Sequence, residues 1–375
     1  MSAKTSAQHS ATSSFPLQFQ THRSLSLRRK LKVFLSLAIL SHSVHAATLT
    51  WSGDLDNTWL SGTSGADTNW VGNTVPSNGD SLVFDLTSTS NFTLANNFTA
   101  LKLGGTNAIA FTNDTLTGTG FTLTGNAVIL GGNIISSGVT GTHTHTLSLN
   151  LILNGSRTIN AVTGTTIVID GSISETGGTY GFIKSGAGAT MLTGINTFTG
   201  AVSVNQGSLT INSMADSASA SSLGSGTTVN LGSAAQAGTL IYTGAASSTN
   251  RAVVLASSGT GGGTITNNGS GALVFAGAFS NSGSAAKTFT LGGSNTDIND
   301  FQCPLVDSSG GALSFVKTGT GAWTLSGASS FTGALSVNQG TLTLASIADS
   351  GINSAGGAGG IINIGSGTTA AGTLI

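Results

Sequence analysis

Apolar and polar residues alternate along much of this chain in short runs. In Ala201–Asn205, Val202 and Val204 face one way while Ser203 and Asn205 face the other. Period-two alternation is what a strand with one buried face requires. After Gln206-Gly207 the pattern resumes with Leu209 and Ile211, and Leu335, Val337, Leu342 and Leu344 repeat it further on. Glycines between the runs (Gly194, Gly200 and Gly207, then Gly327, Gly333 and Gly340) fall where tight corners need positive φ. The outward positions carry Thr, Ser and Asn, which suit a solvated sheet face. Beyond the first fifty residues no stretch shows a 3.6-residue period with caps, so the pattern predicts an all-β chain.

The alternation is itself repeated over a longer distance. Phe182–Ser217 and Phe315–Ser350 align without a gap, and 22 of their 36 positions are identical. The likeness continues: Val229–Gly232 corresponds to Ile362–Gly365, and Ile167–Ser174 echoes Leu273–Ser280. The second unit carries an insertion, roughly Ala285–Ser308, that the first lacks. Units of this kind cannot close a core alone and bury their apolar faces by stacking. A β-sandwich does not account for so long a gap-free repeat, and a propeller would need more copies. The reading is a right-handed parallel β-helix, a solenoid of short strands. Turns of roughly 20–25 residues would give about 13–16 rungs and a rod of about 60–75 Å at about 4.8 Å per rung.

Composition narrows the alternatives. Among 375 residues there are 55 glycines and 3 prolines, with 38% hydrophobic and 7% charged residues. Collagen would need periodic glycine and abundant proline, and disorder would need more charge and less apolar content. Charge is unevenly placed. Six of the 12 basic residues precede residue 33, and all 13 acidic residues follow residue 50. The remainder is acidic, with no basic stripe to neutralise phosphates, which excludes nucleic acid as a partner.

The basic cluster Arg28–Lys32, the apolar run Val33–Leu40 and the small-residue end Val44-His45-Ala46 read as a cleavable signal peptide, residues 1–46. Val33–Leu40 is too short for a bilayer anchor, and the mature chain offers no membrane-spanning segment. Cys303 is the single cysteine, so stability must come from packing and backbone pairing rather than disulfides; it reads as a small, partly buried apolar residue.

Few residues suggest chemistry. His143 and His145 share one strand face and could grip a metal, but no third ligand is near; the simpler reading is an outward polar strand. Asp170 and Glu175 are the only neighbouring mid-chain carboxylates, and turns of a stack often carry such solvated acids. Beyond residue 46 the only arginines are Arg157 and Arg251, and Gly259–Gly263 lacks the lysine of a phosphate loop and reads as a flexible turn. Trp51, Trp59 and Trp70 could form a sugar-stacking platform or cover the exposed first rung; the cap is the simpler reading. The sequence thus offers no catalytic, cofactor-binding or metal site.

The repeat block resembles the autotransporter-associated β-strand repeat. The matching residues are Lys184–Gly188, Leu192–Gly200, Val202, Val204, Asn205, Gly207 and Leu209, with Lys317–Gly321, Leu325–Gly327, Phe331–Gly333 and Asn338–Leu342 in the second copy. Thr190 departs from the family's apolar residue at the slot that Trp323 fills. The resemblance implies export, and display on or release from an outer membrane as a passenger; it implies no enzymatic chemistry. Such proteins end in a translocating barrel, which is not seen before Ile375, where the earlier unit continues past Ile241; this predicts truncation and an end able to self-associate. The expected organisation is a signal peptide (1–46), an N-terminal capping segment (47–100) and a β-helix (101–375) with repeats at 182–217 and 315–350. The expected function is that of a secreted or surface-displayed structural rod, adhesive and non-catalytic, with a surface ligand or glycan as partner and no cofactor. The alternative is a glycan-binding or polysaccharide-degrading β-helix.

Overall fold

The computed structural model describes residues 46–87, 92–112, 118, 120–138, 140–256, 258–365 and 371–375. The expected signal peptide lies outside the described residues apart from Ala46. From Ala46 to Ile375 the chain is one unit, and its described elements are all strands.

The strands stack in parallel in four sheets, of ten, four, twelve and six strands. Through Asn107–Glu175, each turn visits the ten-stranded sheet, then the twelve-stranded, then the four-stranded; from Thr228 to Phe301 the six-stranded sheet takes the third place. The result is a parallel β-solenoid of about eleven turns, fewer than the 13–16 expected. Turn length explains the shortfall. Ala189 lies opposite Ser208, a step of 19 residues, but Gly207 lies opposite Gly238, a step of 31. The long corners and the excursion between Thr50 and Ser81 consume residues without adding rungs.

In-register stacking makes inward positions into columns. One runs Ile167, Thr190, Leu209, Leu240, Ile265, Leu291 and Lys317. Another runs Phe182, Val202, Val229, Val253 and Phe279. Val202, Val204, Leu209, Ile211, Leu335, Val337 and Leu342 are buried as the alternation predicts, each apolar side chain contributing about 1.5–3 kcal/mol. Leu344 is only half-buried. Ser203, Asn205, Ser336 and Asn338 are partly exposed. At the corners, Gly207 and Gly340 have φ of +68° and +75°, and a Cβ on either would stand 2.3 or 2.4 Å from a carbonyl oxygen of the preceding turn.

The insertion between the two units is a whole turn. It supplies the strands Lys287–Gly293 and Asn299–Phe301, so the stack continues unbroken through it. The two repeats nevertheless occupy different faces. In the first, Phe182–Ser185 and Val202–Val204 lie in the ten-stranded sheet, and Ala189–Leu192 and Gly207–Ile211 in the twelve-stranded. In the second, the equivalent Leu313–Lys317 and Leu335–Val337 lie in the twelve-stranded sheet, and Ala322–Leu325 and Gly340–Leu344 in the six-stranded. The same sequence is rotated by one face of the stack.

At the N-terminal end, Trp51, Trp59 and Trp70 are fully buried. Trp70 packs edge-on against Trp51 at 5.1 Å and Trp59 at 6.4 Å, above Phe84, and its Nε1 donates to Trp59 O. No indole face is left for a sugar.

Candidate functional site

An outward column on the twelve-stranded sheet runs in register through Thr144, Thr166, Ala189, Ser208, Thr239, Thr264, Thr290, Val316, Ser336 and Asn363. Thr144 and Asn363 are exposed and the others partly so. The column contains no charge. Seven of its ten residues carry a hydroxyl, at the strand spacing of about 4.8 Å where they adjoin; Ala189 and Val316 interrupt the series and Asn363 ends it with an amide.

Where this column meets the corner before the sheet, five turns frame an open groove of about 420 Å³. Gly118, Thr142–Thr144, Gly164–Thr166, Ala187–Ala189 and Ser208 line it. Glycine and alanine at the corner keep it open, and threonine and serine supply its polar atoms. His143 is its only ionisable residue, with Nε2 at 3.0 Å from Thr140 O.

The histidines are not on an outward face, contrary to expectation. His143 and His145 are buried on the inward side of His143–Leu147, in the parity of Leu147. His145 stacks on Phe111 with centroids 4.0 Å apart, and its Nδ1 accepts the Phe121 N–H at 3.1 Å. The aromatic stack and the backbone donor together offset the cost of burying the imidazole. Among the described residues no group of three or more His, Cys, Asp or Glu side chains is placed to hold a metal.

Asp170 and Glu175 serve different turns. Asp170 accepts the Ser148 hydroxyl of the turn before at 3.1 Å. Glu175 accepts the Tyr180 N–H at 2.6 Å and the Thr199 N–H at 3.0 Å, together with the Thr199 hydroxyl. Asp307 does the same in the second repeat, accepting from Leu313 N, Thr332 N and Thr332 Oγ1. A carboxylate in this place ties one corner to the next. Cys303 is buried with its thiol pushed up to about 11 by desolvation, which leaves it protonated and unreactive near neutral pH. Gly259–Gly263 is more constrained than a flexible turn: Gly261 N donates to Ala234 O, and a Cβ on Gly263, which opens the strand Gly263–Asn267, would stand 2.7 Å from Leu231.

The core also holds cations that residue type alone does not place there. Lys184 and Lys317 are fully buried. Lys184 Nζ donates to Ser185 O, Gly186 O and Gln206 O at 2.6, 2.7 and 3.2 Å. Lys317 Nζ donates to Thr318 O, Gly319 O and Gln339 O at 2.7, 2.8 and 3.0 Å. Desolvation brings each down to about 8, so both remain mainly protonated near neutral pH. The signal was present: each lysine shares the inward parity of the phenylalanine two residues before it. Arg251 is buried as well, and Arg157 donates to Leu130 O and Asn154 Oδ1.

Comparison with known proteins agrees with this architecture. Residues 182–211 and 315–344 match the family described as Passenger-associated-transport-repeat. Over 258 residues the chain is 31% identical to a protein named Adhesin BmaC autotransporter, from Brucella suis biovar 1 (strain 1330). That alignment covers 68% of the chain and 7% of the relative, so the chain spans a small part of the relative's length. No solved structure matches the chain.

Proposed function

The chain is an autotransporter-associated β-strand repeat protein, and from that premise we propose that it is part of a surface-displayed passenger that adheres through its hydroxylated face. The observation that carries this reading is the uncharged column from Thr144 to Asn363 with the groove beside it. Such a face offers hydrogen-bond donors and acceptors at a fixed spacing, which suits repeated weak contacts with a neutral, hydroxyl-rich surface such as a glycan. Asp170 and Glu175 are engaged in corner contacts, which favours contact over catalysis. The relative's name, an adhesin, agrees with this role.

Beads coated with the full chain, presented to glycan-coated and protein-coated surfaces, test the proposal. Saturable adhesion is expected on a glycan surface, with no release of reducing ends. Because the face is uncharged, raising salt from about 0.05 to 0.5 M should alter adhesion less than about twofold. Absence of adhesion, or steady release of sugar ends, would replace the adhesive reading.

A further inference from the structure

Each repeat is followed by a loop that folds over the side of the stack, and the two loops have the same conformation. Ala218 N donates to Ser225 O, and Gly351 N to Ala358 O. Ser219 N donates to Asp216 O, and Ile352 N to Asp349 O. The Ser221 hydroxyl donates to Gly224 O at 3.0 Å, and the Ser354 hydroxyl to Gly357 O at 2.9 Å. Positive φ recurs at the same places, Ala218 and Gly351, then Gly224 and Gly357.

What lies on the two loops differs. Over the first runs the strand Ser247–Thr249 and Arg251. The Ser247 hydroxyl donates to Met214 O at 2.7 Å, the Thr249 hydroxyl to Ala215 O at 2.9 Å, and Asn250 N to Asp216 Oδ1 at 2.8 Å. Ser217 N returns a bond to Asn250 Oδ1 at 2.8 Å. Arg251 then places its guanidinium in a cage of loop carbonyls: Nε on Ala215 O at 3.0 Å, Nη2 on Gly224 O at 2.7 Å and Ser219 O at 3.3 Å, and Nη1 on Gly226 O. Under this strand Met214 is 6% exposed, whereas its counterpart Ile347 is 67% exposed. The second loop instead frames a cavity of about 260 Å³, lined by Ile347, Asp349, Ser350, Ser354, Gly357 and Ile362.

The groups that hold Arg251 and Asn250 are backbone carbonyls, a backbone N–H and one carboxylate. The corresponding positions in the second loop are Ala348, Asp349, Ser350, Ile352, Gly357 and Gly359; Ala348, Asp349 and Ser350 are identical to their counterparts. We propose that the loop 347–359 is a docking site for an extended strand bearing Thr-Asn-Arg, supplied by a further solenoid turn, with its arginine seated in the carbonyl cage. The guanidinium fork fits several carbonyls at once, which an ammonium cannot match. Asp349, aligned with Asp216, supplies the acceptor for the strand's asparagine N–H and the negative charge beside the guanidinium.

A peptide with the sequence of Ala245–Leu255, added to the full chain, tests this directly. Saturable binding is expected, with hydrogen exchange slowed at 347–359 and unchanged at 214–226, where the cage is already filled. Replacing the peptide's arginine by alanine should weaken binding about tenfold or more, and by lysine less. Asp349→Ala in the protein should also weaken it; Asp349 is exposed, so the fold should tolerate the change. Failure of the peptide to bind, equal binding of the alanine peptide, or protection confined to another region would each overturn the proposal. None of these outcomes depends on adhesion.

Discussion

Lys184 and Lys317 hold their ammonium groups in the same three-carbonyl cage, yet Lys184 lies on the ten-stranded sheet and Lys317 on the twelve-stranded one. Two of the three acceptors follow the lysine directly, and the third belongs to the next turn, at Gln206 or Gln339. The cage therefore fastens each repeat to itself across one rung and needs nothing from the particular face it occupies. This local closure is what lets the repeat be rotated by a face and still fold in the same way.

Lys184→Met should destabilise the solenoid by about 1–3 kcal/mol at neutral pH, because it leaves Ser185 O, Gly186 O and Gln206 O without their donor. Denaturant unfolding checks this. A loss near zero would mean that the cost of burying the ammonium cancels its bonds.

The same lysines set a pH dependence. Their ordinary value is 10.5 and burial brings them down to about 8. Between those values the unfolded chain holds more protons, so stability should rise with pH through that window; the cost of burying the charge is full below about 8. Relative to a Lys184→Met, Lys317→Met double variant, the natural chain should gain stability as pH goes from about 8 to 10. A difference that shrinks over this range would reverse the assigned sign.

Thr190 sits in the inward column between Ile167 and Leu209, with no hydrogen-bond partner for its buried hydroxyl. Trp323, its counterpart, fills its slot and donates Nε1 to Gly292 O at 2.9 Å. Thr190→Val keeps the shape and removes the orphan oxygen, so it should stabilise by about 1 kcal/mol, seen as a higher Tm. A lower Tm would show that the hydroxyl is satisfied in solution.

Asn196 Oδ1 accepts the Ile173 N–H at 2.7 Å, and its Nδ2 donates to Ser222 O at 2.7 Å. In the second repeat Ser329 Oγ accepts the Leu305 N–H at 3.0 Å from the same position. Asn196→Ala should therefore cost about 3 kcal/mol, and Asn196→Ser clearly less, by equilibrium unfolding. Equal losses would mean that the serine in the second repeat is not doing the asparagine's work.

The strand pattern, the inward valines and leucines and the repeat were legible because period-two alternation and glycine corners are written locally. His143, His145 and Lys184 were misplaced or passed over because their polarity suggests solvent, while their parity with Leu147 and Phe182 places them inside. Parity carries the information; residue type misleads wherever a backbone acceptor or an aromatic face waits in the core. The number of turns depends on corner lengths, and the step between adjoining rungs varies from 19 to 33 residues with little trace in the pattern. The rotation of the second repeat is not legible at all, since an offset in residues does not say which face the chain has reached. The groove beside Thr144 escaped notice for the same reason: it is assembled from five turns, three contributing three residues each and two contributing Gly118 and Ser208 alone.

Contact by the hydroxylated face of the twelve-stranded sheet requires that added charge abolish adhesion there and not on another sheet. It is tested most directly by adhesion of two lysine-bearing variants whose folding is matched by circular dichroism and Tm. One carries Thr239→Lys, Thr264→Lys and Thr290→Lys, in register on that face. The other carries Ser203→Lys, Asn230→Lys and Val254→Lys, in register on the ten-stranded sheet. Both add the same charge at the same spacing. The first is expected to lose adhesion about tenfold or more, while the second stays within about twofold of the natural chain. Equal losses in the two, or a loss confined to the second, would contradict it.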